Sequence, residues 1–179
     1  DILLSTVQRF IRERLIPAEN HLEEHDDVPL DIVQDMKDMG LFGLTVPEEF
    51  GGIGLSVSQE ILVNYELGRT APAFRSVFGT NIGIGSQGIL MDGTPEQKAT
   101  YLPKVASGEL IMSFALTEPD VGSDAASLKT KAELDGDSYI LNGTKFWITN
   151  GPNADVLVVY AKTDVKAGPK GITAFIIEK

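Results

Sequence analysis

Residues 106–124, ASGELIMSFALTEPDVGSD, hold the point where the pattern of the chain changes. Gly108 closes a helical segment. After Glu109 comes LIMSFAL, a short apolar run of strand type. The chain then enters a loop through Thr117, Glu118 and Pro119. Gly122 and Ser123 follow, offering an unobstructed backbone beside a hydroxyl. Such a loop can present N–H donors and small hydroxyls to carbonyl and phosphate oxygens without positive charge.

Outward from this point the two halves read differently. Upstream, Leu3, Val7, Phe10, Ile11 and Leu15 recur at three- and four-residue steps, the stripe of an amphipathic helix. Pro17 is expected to break or restart it. A second helix opens near Pro29, with Ile32, Val33, Met36 and Met39 inward and Gly40 as its stop. Ser56 with Gln59, and Thr94 with Pro95 and Gln97, read as capping boxes. Downstream, KTKAEL and SYILNG flank an Asp-Gly turn as a hairpin. TKFWIT, DVLVVYA and ITAFIIE continue a β-branched and aromatic strand pattern. The expected fold is α+β: an all-α domain over residues 1–110, then an incomplete antiparallel β-barrel or sandwich over 111–179.

Composition narrows the function. The chain of 179 residues has 15 basic and 26 acidic side chains, a net charge of −11, so a nucleic-acid backbone would be repelled. There is no cysteine, hence no disulfide, thiolate nucleophile or cysteine-ligated cluster. The longest apolar runs fall well short of the roughly 20 residues that span a bilayer, so no membrane insertion is expected.

Two motifs point elsewhere and are outweighed. Gly83, Gly85 and Gly88 have G-x-G-x-x-G spacing, the fingerprint of a dinucleotide turn. That turn needs a strand before it, yet APAFRSVFGTN carries a helical pattern, and Gly93 and Pro95 arrive too soon for the helix after it. Helix packing or an irregular helix accounts for these glycines better. His21, Glu24 and His25 match the inverted zinc-protease motif, but the only two histidines are then used and a third ligand must come from a distant acid. A solvated acidic helix end is the simpler reading, and no metal site is assigned. Asn142-Gly143-Thr144 fits the glycosylation sequon and is better explained as a tight turn.

The second informative stretch is KFWITNGP, Lys145 to Pro152, which holds the only tryptophan. An indole can stack on a planar ring while a neighbouring threonine bonds the ring's edge. Residue type and spacing alone are better served by an ordinary capped turn and a tryptophan in the core of a β domain.

FALTEPDVGSD resembles the flavin-binding signature of the acyl-CoA dehydrogenase family: Thr-Glu-Pro, two variable positions, then Gly-Ser-Asp. GTKFWITNGPNADVLVVYAKT is similar to the matching second segment, and GITAFIIEK to the strand after it. GLTVPEEFGGIGLS and GTPEQKATYLPKVASGE are similar to that family's loop and helix signatures. The likeness covers nearly the whole chain in the family's order. One departure is Val121, where alanine is frequent.

The resemblance implies FAD as cofactor and an acyl-CoA thioester as substrate. It implies α,β-dehydrogenation to the trans-2-enoyl-CoA, with electrons passed to an electron-transferring flavoprotein. Matched residue by residue, Phe114, Leu116 and Thr117 would line the isoalloxazine. Gly122 and Ser123 would approach the pyrophosphate, and Ser123 would also touch the substrate. Trp147, Ile148 and Thr149 would cover the flavin face away from substrate. Glu118 and Asp124 are expected to build the loop, not to transfer protons. The family's base is a glutamate on a C-terminal four-helix domain that matches nothing here, so no catalytic residue is assigned and these residues alone are expected to be inactive. The family also implies a homotetramer in the full-length form, located in the cytoplasm of a bacterium or the mitochondrial matrix of a eukaryote. Two alternatives stay open: a flavin-dependent monooxygenase or nitroalkane oxidase on the same fold, and a non-catalytic binding module. Acyl length and branching are not legible.

Overall fold

A computed structural model describes residues 2–179. They fall into a helical unit that ends at Leu110 and a β unit, Ile111–Lys179.

The helical unit begins with α1 (Ile2–Phe10) and α2 (Ile16–His25), joined without a break by a π turn, Ile11–Leu15. The restart expected at Pro17 is therefore a change of pitch. A proline in a continuing helix removes one N–H and presses its ring on the preceding turn, and a wider turn relieves both. The shift keeps Val7, Phe10, Ile11 and Leu15 all buried. Arg14, on the exposed side, donates to Asp31 and Asp35 of α3 (Leu30–Asp38) at 2.7 and 2.8 Å. The guanidinium in turn holds the Asp31 carboxyl below the usual carboxylate range.

α4 (Val57–Leu67) and α7 (Pro95–Ser107) start where the sequence places them. Ser56 and Thr94 each cap the third helical N–H, while Gln59 and Gln97 reach back to the cap's own N–H at 2.9 Å. α5 (Pro72–Ile82) carries Phe74 and Phe78 into the core beside Phe42, Leu41, Leu44 and Leu102, all fully buried. Gly83 then ends α5 with φ −116° and ψ −124°, and α6 (Ile84–Asp92) follows at once. A side chain at Gly83 would stand 3.0 Å from the Gly79 carbonyl. Gly83 thus serves a bend between two helices, and what precedes the triplet is the helix α5.

In the β unit, β1 (Met112–Ala115) pairs parallel with β4 (Val156–Lys162), from Met112 opposite Val156 to Ala115 opposite Val159. β2 (Lys131–Asp135) and β3 (Ser138–Asn142) form the expected hairpin about Gly136, whose φ of 64° suits a two-residue turn. β2 meets β4 at one pair, its first residue Lys131 opposite Lys162, the last of β4. β5 (Ile172–Glu178) runs antiparallel along the whole length of β4. The expectation of a purely antiparallel sheet is therefore corrected to a mixed one. The long connection 116–155 carries the chain back to the start of β1, and so β4 enters in β1's own direction.

Candidate functional site

The stretch expected as a strand at TKFWIT is not one. Trp147 and Asn150 have φ of 56° and 61°, left-handed values that no strand accommodates. The chain here instead runs beside β1 in reverse. Asn150 donates its side-chain amide to Met112 O at 3.4 Å, and the Ser113 hydroxyl donates to Thr149 O at 2.8 Å. Phe146 N–H donates to Thr117 O at 2.9 Å, and Lys145 Nζ to Leu116 O at 2.9 Å. The Thr-Glu-Pro and Phe-Trp-Ile segments, separated in sequence by the hairpin, are therefore laced together.

A buried cluster fastens them. Glu118, on the bend after β1, accepts through Oε1 from Lys145 Nζ at 2.9 Å, from the Thr130 hydroxyl at 2.5 Å and from Thr130 N–H at 2.9 Å. Its Oε2 accepts from Lys129 N–H at 2.6 Å. Side-chain exposure is 5% for Glu118 and 12% for Lys145. Burial pushes the Glu118 carboxyl up, but the hydrogen bonds from Thr130, Lys145 and the two backbone groups outweigh it and hold it at about 2. Glu118 N–H and O also close a small turn on Val121 at 3.0 Å. Val121, the departure from the family signature, turns its extra bulk inward and is 4% exposed. Thr130 approaches only because residue 143 is glycine.

The remaining expected residues sit as follows. Phe114 is half-buried in β1, its ring 5.1 Å from that of Tyr160. Leu116, Thr117 and Ile148 are half-buried, and Gly122, Ser123 and Thr149 are exposed. Trp147 is 82% exposed, so the core-filling alternative for it is set aside; its indole lies edge-on to Phe146 at 4.8 Å. Among the described residues no hydrogen bond joins Gly122 or Ser123 to the 147–149 stretch. Asp124 accepts from Ser127 at 2.5 Å and opens a short 3₁₀ turn, Ala125–Ser127. Thr130 was not singled out from sequence, and Lys145 and Gly143 appeared there only as the start of KFWITNGP and as part of a tight turn. Their roles depend on groups more than ten residues away, and no local pattern marks them.

Several groups on these segments lack a protein partner among the described residues: the N–H donors of Thr117, Ile148 and Thr149, and the hydroxyls of Thr117, Ser123 and Thr149. A side chain at Gly122 would meet nothing within 4 Å, so protein packing does not require a glycine there. An exposed indole on a left-handed backbone, free donors, hydroxyls and an open glycine suit a planar heterocycle with an anionic tail. The isoalloxazine and pyrophosphate of FAD meet that description.

The histidine motif has a different form. His21 and His25 stack at 4.1 Å, and His25 Nδ1 lies 3.1 Å from His21 O. Among the described residues no three His, Asp or Glu side chains gather as a metal-binding group. No described helix is long and apolar enough to cross a membrane.

Comparison with known proteins adds the family. Residues 1–109 match the N-terminal domain of acyl-CoA dehydrogenases and residues 113–179 their middle domain. A mitochondrial isovaleryl-CoA dehydrogenase of Pongo abelii is 42% identical over 99% of this chain and 43% of its own length. The structure of a glutaryl-coenzyme A dehydrogenase in complex with glutaryl-CoA superposes with a TM-score of 0.90 at 35% identity, covering 99% of this chain and 46% of that one. An acyl-CoA dehydrogenase of Bacillus anthracis complexed with FAD gives 0.84 at 40% identity, over 99% and 31%. The chain thus spans less than half the length of the relatives it matches. From both domains, in order and nearly end to end, the chain belongs to the acyl-CoA dehydrogenase family.

Proposed function

We propose that these residues are the N-terminal and middle parts of an FAD-dependent acyl-CoA dehydrogenase that converts an acyl-CoA thioester to its trans-2-enoyl-CoA. The observation that carries this reading is the lacing of Leu116–Thr117 to Lys145–Phe146, which leaves Trp147 outward, strained and 82% exposed. The reaction removes a proton from Cα and a hydride from Cβ, and FAD when bound supplies the hydride acceptor. The protein's part is position and electrostatics. Trp147, Ile148 and Thr149 would hold one face of the ring, with Phe114, Leu116 and Thr117 along it. The Thr117 hydroxyl and N–H are free to bond the polar edge. Gly122 and Ser123 would hold the pyrophosphate by backbone N–H groups, and Ser123 would also touch the thioester substrate.

No carboxylate of this chain is assigned the α-proton. Glu118, the most buried acid of the bend, has its oxygens committed to four hydrogen bonds that make it too weak a base to take a proton near neutral pH. The base is placed outside residues 1–179, on the family's C-terminal helices. Full-length protein is proposed to assemble as a homotetramer and to hand electrons to an electron-transferring flavoprotein. The setting would be bacterial cytoplasm or mitochondrial matrix.

Relatives that act on isovaleryl-CoA and on 2-methylacyl-CoA support short branched thioesters as the first substrates to try. The test mixes full-length holoprotein, without air, with a panel of acyl-CoAs and follows flavin absorbance. Bleaching by one or more thioesters is expected. A flavin-loaded protein that no acyl-CoA bleaches would overturn the dehydrogenase reading.

A further inference from the structure

The flavin reading names residues that would touch the ring and says nothing of what keeps two distant segments aimed at it. Residues 145 and 146 reach three consecutive residues of the first segment. Lys145 Nζ bonds Leu116 O and Glu118 Oε1, each at 2.9 Å, while Phe146 N–H bonds Thr117 O at 2.9 Å. Two residues after Lys145, the backbone turns left-handed at Trp147. Extended chain advances about 3.3 Å per residue, so a slip of one position would carry the indole a whole residue along the first segment. A planar ring cannot follow such a slip and keep Thr117 at its edge.

We propose that Lys145, seated on Glu118, is a positioning residue for the flavin: it fixes the register that turns Leu116–Thr117 and Trp147–Thr149 toward one ring. This rests on the FAD reading above. The pair's burial supports it, since a surface ion pair with solvent around it would set no geometry. So does its economy. The same ammonium that neutralises Glu118 also bonds a carbonyl of the ring-lining segment, and Glu118 in turn holds Thr130 and Lys129 of the strand approach. A lysine whose sole task was to balance a buried acid would have no need of Leu116 O.

The test uses full-length protein stripped of flavin and reloaded with FAD. Binding is read from quenching of the chain's tryptophan, and ring orientation from circular dichroism in the flavin's visible bands. Lys145→Met is expected to weaken FAD binding at least tenfold and to change the shape of the visible dichroism, while far-ultraviolet dichroism stays that of the folded protein. Lys145→Arg, which keeps charge and donors, should recover most of the affinity. A brace without a positioning role would lower the unfolding midpoint only, leaving affinity and visible dichroism of the folded fraction unchanged, and that result overturns the proposal. Should Lys145→Met fail to fold, Glu118→Gln keeps the volume of the site and carries the same two expectations. Wild-type protein that neither binds FAD nor shows quenching would refute the flavin reading instead, and so the two failures are told apart.

Discussion

Gly143 and Thr130 stand so close that a methyl group at residue 143 would lie 2.2 Å from the Thr130 hydroxyl oxygen and 2.8 Å from its Cα. The obstacle includes main chain, which cannot swing aside. Because Thr130 also donates to Glu118, displacing it disturbs the anchor of the site. Gly143→Ala is expected to destabilise the β unit by about 1–3 kcal/mol in urea unfolding. Gly122→Ala, which meets nothing, should stay within about 0.5 kcal/mol of wild type while weakening FAD binding. Equal stability of the two variants would contradict the packing argument.

Strong acid should remove what Glu118 contributes. Its carboxyl is held at about 2 against an ordinary 4.5, so the folded state prefers the ionised form. That preference is fully present above pH 4.5 and disappears as pH falls toward 2; the drop corresponds to about 3 kcal/mol at neutral pH. Glu118→Gln cannot titrate there. The stability gap between wild type and this variant, measured by denaturant at several pH values, is expected to be widest near pH 7 and to close by pH 2. A gap independent of pH would show that charge is not what Glu118 contributes.

Trp147 is held in a conformation that costs an ordinary side chain about 1–2 kcal/mol, and at 82% exposure it recovers little by burial. Asparagine tolerates left-handed angles. Flavin-free Trp147→Asn is therefore expected to be as stable as wild type or up to about 1 kcal/mol more so, and to bind FAD less well. Loss of stability in the flavin-free variant would mean that the indole has packing partners in the folded protein.

The two capping boxes allow a graded comparison. Thr94 Oγ1 accepts from Gln97 N–H at 3.2 Å, whereas Ser56 Oγ accepts from Gln59 N–H at 3.4 Å. Thr94→Ala should cost about 1 kcal/mol and Ser56→Ala less, by thermal or urea unfolding of the helical unit. The reverse order would show that the reciprocal glutamine bonds, equal at 2.9 Å, carry most of each cap.

What the sequence disclosed was local. Capping boxes and the Asp-Gly hairpin each depend on partners within a few residues, and those readings match the structure. Two expectations failed where the deciding partner is remote or the backbone unusual. TKFWIT has strand composition, but the left-handed angle at Trp147 is not written in its residue type. The sheet's mixed direction follows from where β4 enters, and alternation along β4 cannot reveal that. Glu118 was expected to build the loop, yet Thr130 and Lys145, which give that role its content, lie 12 and 27 positions further on.

The parallel pairing of β1 with β4 also sets when the Thr-Glu-Pro and Phe-Trp-Ile segments can meet. The β2–β3 hairpin closes on neighbours and can form early, whereas β1 must wait for residues 156–159 to emerge and return across the long connection. On the ribosome, then, Thr117 has its strand context fixed only after Trp147 and most of β4 have been made. If these segments hold FAD as proposed, its loading would be a late event in the life of the nascent chain, gated by topology.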